Sequence, residues 1–274
     1  MTTYELMIKT NHYLIKGGKL TEGQRANIVN QLLDGRSDER AVQGFKKAVN
    51  APEYLCSIGK SKDIRVMYPL FYIPPYNEGK KLQTVIPMSP KTHILAANSY
   101  ELEILRLLYL FAPDNSLVQD MIDKTLARLK TTCFGYHDCH NGECFHSALI
   151  VLRFLATVSD DKEWIYKMIK YFNKYNGETK RHSGTVWYYW LCLSELTFET
   201  AKPEIDKYKN EMLNRLSNRS YVMNSDNDKN IHPVILCILR NIISKYPEYE
   251  YIKDRQPYIK EKDGRLYFDM SKGA

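Results

Sequence analysis

Residues 133–146 read C-F-G-Y-H-D-C-H-N-G-E-C-F-H and hold three of the chain's six cysteines and three of its seven histidines. Uniform scatter would put about one such residue or fewer in a window of this length. Thiolate and imidazole are the donors zinc prefers. Four of them at tetrahedral angles close a structural site, and three leave a coordination position open. The spacings are Cys133-x5-Cys139, Cys139-x4-Cys144 and Cys144-x-His146. None is a tight C-x-x-C knuckle, but Asn141-Gly142 is a turn-forming pair that can bring Cys139 and Cys144 together. The expected zinc ligands are Cys139, Cys144 and His146, with Cys133, His140 or water as the fourth. An open position would let the metal acidify a bound water, with Asp138 or Glu143 accepting its proton.

Two other chemistries fit the same residues. Cys139 or Cys144 can be a nucleophile, its thiolate favoured by the following helix N-terminus and by an imidazole from His140, His146 or His182. The loop can also be a structural turn. Asp138 and Asn141 then bond backbone groups, Glu143 favours the helix start, and the cysteines act as small core residues. The residue types leave all three readings open.

Other motifs are weaker. Lys180 and Arg181 precede a helix start, where free N–H groups attract anions, and suit a phosphate or carboxylate ligand; His182 beside them can transfer a proton. Lys167, Lys170 and Lys174 share a helical face edged by aromatics, which could grip a nucleic-acid backbone but is more often the solvated outside of a repeat helix. Cys192 and Cys237 sit inside apolar runs and read as core residues. Lys16-Gly17-Gly18-Lys19 lacks phosphate-loop spacing and reads as a turn. No Walker-type, G-x-G-x-x-G or H-E-x-x-H pattern is present.

Composition bounds what must position these groups. Of the 274 residues, 44% are hydrophobic and 26% charged, near soluble globular averages. No run of about 18 apolar residues occurs, so no membrane partner is expected. Charges fill the N-terminus where a leader needs an apolar stretch, which places the chain in the cytoplasm with reduced thiols. The formal charge of +7 suits an acidic partner, a small anionic ligand or nucleic acid, and also simple solubility.

The elements are expected to be all α-helical. Apolar residues recur at helical spacing over 3–15, 21–33, 38–49, 98–112, 116–130, 145–158, 161–175, 185–198, 203–217 and 231–245. Capping patterns open several of these at Thr21, Asn98, Ser116 and Asp160, and Pro203 suits a first helical turn. Residues 51–97 form a Pro-rich irregular segment, with Val66-Met67-Tyr68 and Thr84-Val85-Ile86 as extended pieces. Asp263-Gly264 between two strand-like runs marks a hairpin in the tail 246–274. One domain is expected, with N-terminal helices in 1–50 and helix-pair repeats in 98–245. In those repeats His146, His182 and His232 fall near helix starts, where stacking would gather them on one rim.

The Phe134-Gly135 and Gly142 loop running into an apolar helix opened by His146 resembles the α/α-toroid fold of terpenoid cyclases and protein prenyltransferases. The resemblance implies helical hairpins curved or closed into a toroid with the site at its concave rim. Prenyltransferase β-subunits hold zinc through Asp, Cys and His, for which Asp138, Cys139 and His146 are the nearest residues by type. Here Asp138 and Cys139 are adjacent, whereas the family spaces this pair by one residue. The expected function is therefore a zinc-dependent site acting on or binding a small anionic ligand. The alternative is a non-enzymatic helical scaffold for nucleic acid or protein, with a purely structural loop.

Overall fold

Side-chain caps set the starts of the helices. The computed structural model describes residues 1–50, 68–75, 82–88, 90, 92–136, 144–176, 183–218, 221–223, 225–260 and 263–272. Its α-helices are α1 (Thr3–Ile15), α2 (Glu22–Asp34), α3 (Glu39–Val49), α4 (His93–Phe111), α5 (Ser116–Leu129), α6 (Phe145–Val158), α7 (Lys162–Asn176), α8 (Ser183–Glu195), α9 (Phe198–Ser217) and α10 (Asp226–Ile243). Thr21 and Gln24 form the expected reciprocal capping box on α2. Asp38, Asn115 and Ser225 each accept a first-turn N–H in the same way.

Three helices begin five residues earlier than the sequence spacing predicts. α4 starts after Thr92, whose hydroxyl accepts the Leu95 N–H. Asn98, expected as the cap, lies buried inside the helix and donates to the Ile94 carbonyl at 2.8 Å. The Ile94–Ala97 run is fully buried, so an extra turn adds apolar burial to the helix. α9 starts after Thr197, which puts Pro203 in the second turn, where it removes one ladder donor. α10 starts after Ser225, so His232 belongs to the second turn and faces Asp228 at 3.6 Å rather than marking the helix start.

The chain forms two compact units, residues 1–8 with 20–185 and residues 9–19 with 186–274. In the first, α4 packs against α2, α5 and α6, and α6 packs against α7. Every residue of α4 from Ile94 to Leu108 is buried, including Glu101, Glu103 and Arg106. A helix with no solvated face must pair its charges internally. Glu103 does so with Arg153 of α6 at 2.6 Å, both side chains about 1% exposed. Glu101 has a fuller set of donors. One carboxylate oxygen accepts from Arg128 of α5 at 2.9 Å, and the other accepts the backbone N–H groups of Leu70, Phe71 and Tyr72 at 2.7, 2.6 and 3.1 Å. Burial pushes the Glu101 carboxyl up from its ordinary range, opposed by Arg128 and those N–H groups; burial likewise pulls the Arg128 guanidinium down. The carboxylate thus fixes the non-helical segment 68–75 on α4, with Tyr68 and Tyr72 buried as anchors. Residues 82–88 are also non-helical, with Val85 and Ile86 buried. Within the stretch 51–97 expected to be irregular, the described residues 68–75 and 82–88 are non-helical, while 93–97 belong to α4. Val66 and Met67 lie outside the described residues.

The second unit pairs α9 with α10 and carries a 3-10 helix (Pro247–Ile252). Arg240 of α10 is almost fully buried and donates to the carbonyls of Ile15 and Arg255 and to Asn241 Oδ1. Cys192 and Cys237 are core residues, as their apolar runs predict. The hairpin pairs β2 (Tyr258–Lys260) with β3 (Arg265–Tyr267) antiparallel, and Gly264 takes φ +62° in the turn. A two-residue strand, β1 (Tyr221–Val222), adds to the other edge of β3. The chain is thus mostly helical with a small antiparallel hairpin. Among the described residues, no helix is long and apolar enough to cross a membrane.

Candidate functional site

The cysteine-rich stretch begins in the turn that leaves α5. Thr132 organises this turn: its hydroxyl donates to the Leu129 carbonyl at 2.9 Å and accepts the Gly135 N–H at 3.0 Å. Gly135 admits no side chain, because a Cβ there would stand 2.3 Å from the Leu129 carbonyl oxygen and 2.5 Å from the Thr132 hydroxyl. The Gly135 carbonyl in turn accepts the indole N–H of Trp164 on α7 at 2.6 Å. Phe134 is fully buried between these ties. Cys133 is thereby held in a rigid, half-buried turn.

Cys144 is held from the other side. It occupies the N-cap position of α6, and its own side chain makes no capping hydrogen bond. The next residue, Phe145, stacks on Phe172 of α7 at 5.4 Å and leans on Tyr171 at 6.4 Å, which fixes the helix start against α7. Cys144 is 4% exposed. The two anchored backbones bring Cys133 Sγ and Cys144 Sγ to 3.2 Å.

That distance has a chemical meaning. Two thiolates on one tetrahedral zinc, each about 2.3 Å from the metal, stand about 3.8 Å apart. The observed pair needs to open by about 0.6 Å to accept a metal and to close by about 1.2 Å to reach the bonded S–S distance. Either adjustment is within the reach of a χ1 change. The start of α6 puts the partial positive charge of a helix N-terminus beside Cys144. Cations also gather on the turn: Lys167 Nζ lies 3.8 Å over the Tyr136 ring and Lys130 Nζ 5.5 Å over Trp164. This accounts for part of the expected basic face of α7. Its apolar side, through Trp164, Met168 and Phe172, is buried, and the Lys174 side chain lies outside the described residues.

Of the expected ligands, the structure brings together Cys133 and Cys144. His146 falls in the first turn of α6, as expected, and is half-buried with its ring 6.1 Å from that of Phe145. Among the described residues, no group of three or more His, Cys, Asp or Glu side chains is placed to hold a metal ion. Asp138, Cys139, His140, Glu143, Lys180, Arg181 and His182 lie outside the described residues. The sequence pairs Cys139 with Cys144 through Asn141-Gly142. The Cys133–Cys144 pair escapes that reasoning because the Cys133 turn is anchored by Trp164, 29 residues beyond its partner Gly135 in the chain.

No protein-family model, no curated protein and no solved structure matches the chain.

Proposed function

We propose that the chain is a zinc-binding protein whose working site is the thiol pair at the start of α6, and that the bound metal takes a small anionic ligand. The approach of Cys133 Sγ to Cys144 Sγ, 3.2 Å across ten intervening residues, carries this reading. Further donors of suitable type stand in the sequence at Cys139, His140 and His146, with Asp138 and Glu143 as proton acceptors. Two thiolates neutralise the dication, so an anion at a remaining position meets no excess negative charge there and gains from the α6 N-terminus. Lys180, Arg181 and His182 are the proposed charge and proton partners of that anion. The toroidal stacking of helix pairs belongs to the same proposal; its support is the local packing of α6 on α7 and of α9 on α10.

The test is elemental analysis of protein purified without chelator, for the parent and for Cys133→Ser, Cys144→Ser and the double variant. About one equivalent of zinc is expected in the parent, and none in the double variant. Zinc-free parent protein, or zinc retained when both thiols are gone, would overturn the reading. Cobalt loaded in place of zinc should give a thiolate charge-transfer band that each single variant weakens.

A further inference from the structure

The same two sulfurs carry a second chemistry that does not require a metal. We infer that Cys133 and Cys144 are a reversible redox pair that closes to a disulfide under a hydroperoxide and reopens under a thiol. The consequence for the metal, its release on closure, rests on the zinc reading above.

The geometry supplies an order of events. Cys133 is half-buried and Cys144 is 4% exposed, so a small oxidant meets Cys133 first. The Cys133 thiolate attacks one peroxide oxygen; an S–O bond forms, the O–O bond breaks, and the second oxygen leaves as water after taking a proton. Cys144 Sγ, 3.2 Å away, then attacks the sulfur of the resulting sulfenic acid. The S–S bond forms, the S–O bond breaks, and the hydroxide leaves with the Cys144 proton as a second water. Two thiols and one hydrogen peroxide become one disulfide and two waters, with two electrons passing from sulfur to oxygen. Reopening needs two equivalents of a small thiol, which leave as its own disulfide.

Speed follows from position. Reacting atoms already within about 3–3.5 Å behave as a unimolecular pair, so the second step outruns further oxidation of Cys133. The turn that holds Cys133 is rigid through Thr132, Gly135 and Trp164, and Cys144 is fixed by the stacking of Phe145 on Phe172. Closure therefore asks for side-chain rotation, not refolding. Cys192 and Cys237, fully buried in the other unit, have no such path for an oxidant. A disulfide sulfur carries no thiolate charge, so closure and zinc binding exclude one another.

The experiment uses the full chain in two states, stripped of metal by chelator and loaded with one equivalent of zinc. Each is treated with a small excess of hydrogen peroxide and digested without reduction for peptide mapping. In the stripped protein a cross-linked peptide joining Cys133 to Cys144 is expected, formed at least about tenfold faster than oxidation of Cys192 or Cys237 and reversed by dithiothreitol. Cys133 passing to sulfinic acid without the cross-link, or a cross-link that maps to Cys139 in place of either partner, would overturn the pairing. In the loaded protein the same cross-link should appear more slowly, with zinc release measured by a chromogenic chelator rising in step. Cross-linking of stripped protein that never binds zinc would defeat the zinc reading and leave the redox pair standing. Zinc bound through both thiols with no cross-link in the stripped protein would do the reverse. The variant Cys133→Ser alters the more exposed partner and tests the order of attack. Peroxide consumption and alkylation of Cys144 by iodoacetamide should both fall at least about tenfold below those of Cys133 in the parent. Equal reactivity of the two would overturn the order.

Discussion

Replacing Glu101 with glutamine keeps the size and shape of the side chain yet should be among the most damaging single changes in the first unit. All the contacts described at this carboxylate come from donors: three backbone N–H groups on one oxygen and the Arg128 guanidinium on the other. An amide must turn its NH2 toward one of these sets, so at least one donor loses its acceptor and a second donor is pressed against it. Arg128, with 8% of its side chain exposed, becomes a buried cation without its counter-charge. At 2.9 Å and an effective dielectric of 20, the lost Coulomb attraction is about 6 kcal/mol before desolvation is counted. Breaking one side of a buried pair costs about 3–5 kcal/mol net, which is the expected destabilisation. In a unit of this size that lowers the unfolding midpoint by on the order of 10 °C. Urea denaturation followed by tryptophan fluorescence and by far-ultraviolet circular dichroism gives the free energy, with m-values checked for two-state behaviour. Adding Arg128→Met to Glu101→Gln removes the stranded cation, so the double variant should recover part of the loss, with a coupling of about 1–3 kcal/mol. A single-variant loss below about 1 kcal/mol, or strict additivity of the two changes, would refute the claim that the carboxylate and guanidinium pair internally.

Three further outcomes follow from the same packing. Gly135→Ala drives a methyl into the Leu129 carbonyl and should cost about 1–3 kcal/mol, while also slowing Cys133–Cys144 cross-linking; an unchanged cross-linking rate would show that the turn does not position Cys133. Trp164→Phe leaves the Gly135 carbonyl without the indole donor and should cost about 1–3 kcal/mol in urea titrations, against little change for a tryptophan-to-phenylalanine swap at a site without this bond. His93, whose ring packs 5.2 Å from Phe45, is held below its ordinary pKa by burial. The unfolded chain therefore takes up the proton first, and stability should decline as pH falls through about 6.5 toward the lower folded-state value. His93→Phe should flatten that part of the pH–stability curve, and an identical curve in the variant would exclude the cause.

The helices were legible because their signals are local. Thr21 and Gln24, three residues apart, write the start of α2, and the apolar stripes of α5, α6 and α7 put those helices within a residue or two of their observed bounds. Asp263-Gly264 likewise announced its hairpin, since that turn requires a positive φ that glycine adopts without strain. The errors at α4, α9 and α10 share one cause. Asn98, Pro203 and Ile231 look like helix starts in a short window, but caps at Thr92, Thr197 and Ser225 extend each helix backwards, helped in α4 by burial of the preceding turn. In the candidate site, the clustering of cysteines and histidines was visible as composition, and the placement of Cys144 and His146 at a helix start was visible as pattern.

The amino-acid order by itself determined that this chain is helical, where most helices run, and that residues 133–146 concentrate its soft donors, because capping, periodicity and turn chemistry act over a few residues. Only the tertiary structure decided which thiols meet and where the charges of α4 go. Cys133 reaches Cys144 through a turn pinned by Trp164, and Glu101 is neutralised from residues 70–72 on one side and Arg128 on the other. The Trp164–Gly135 bond and the Glu101 contacts join groups 27 to 31 residues apart, and those at Glu101 exist because a fully buried helix must find partners for its polar groups within the protein.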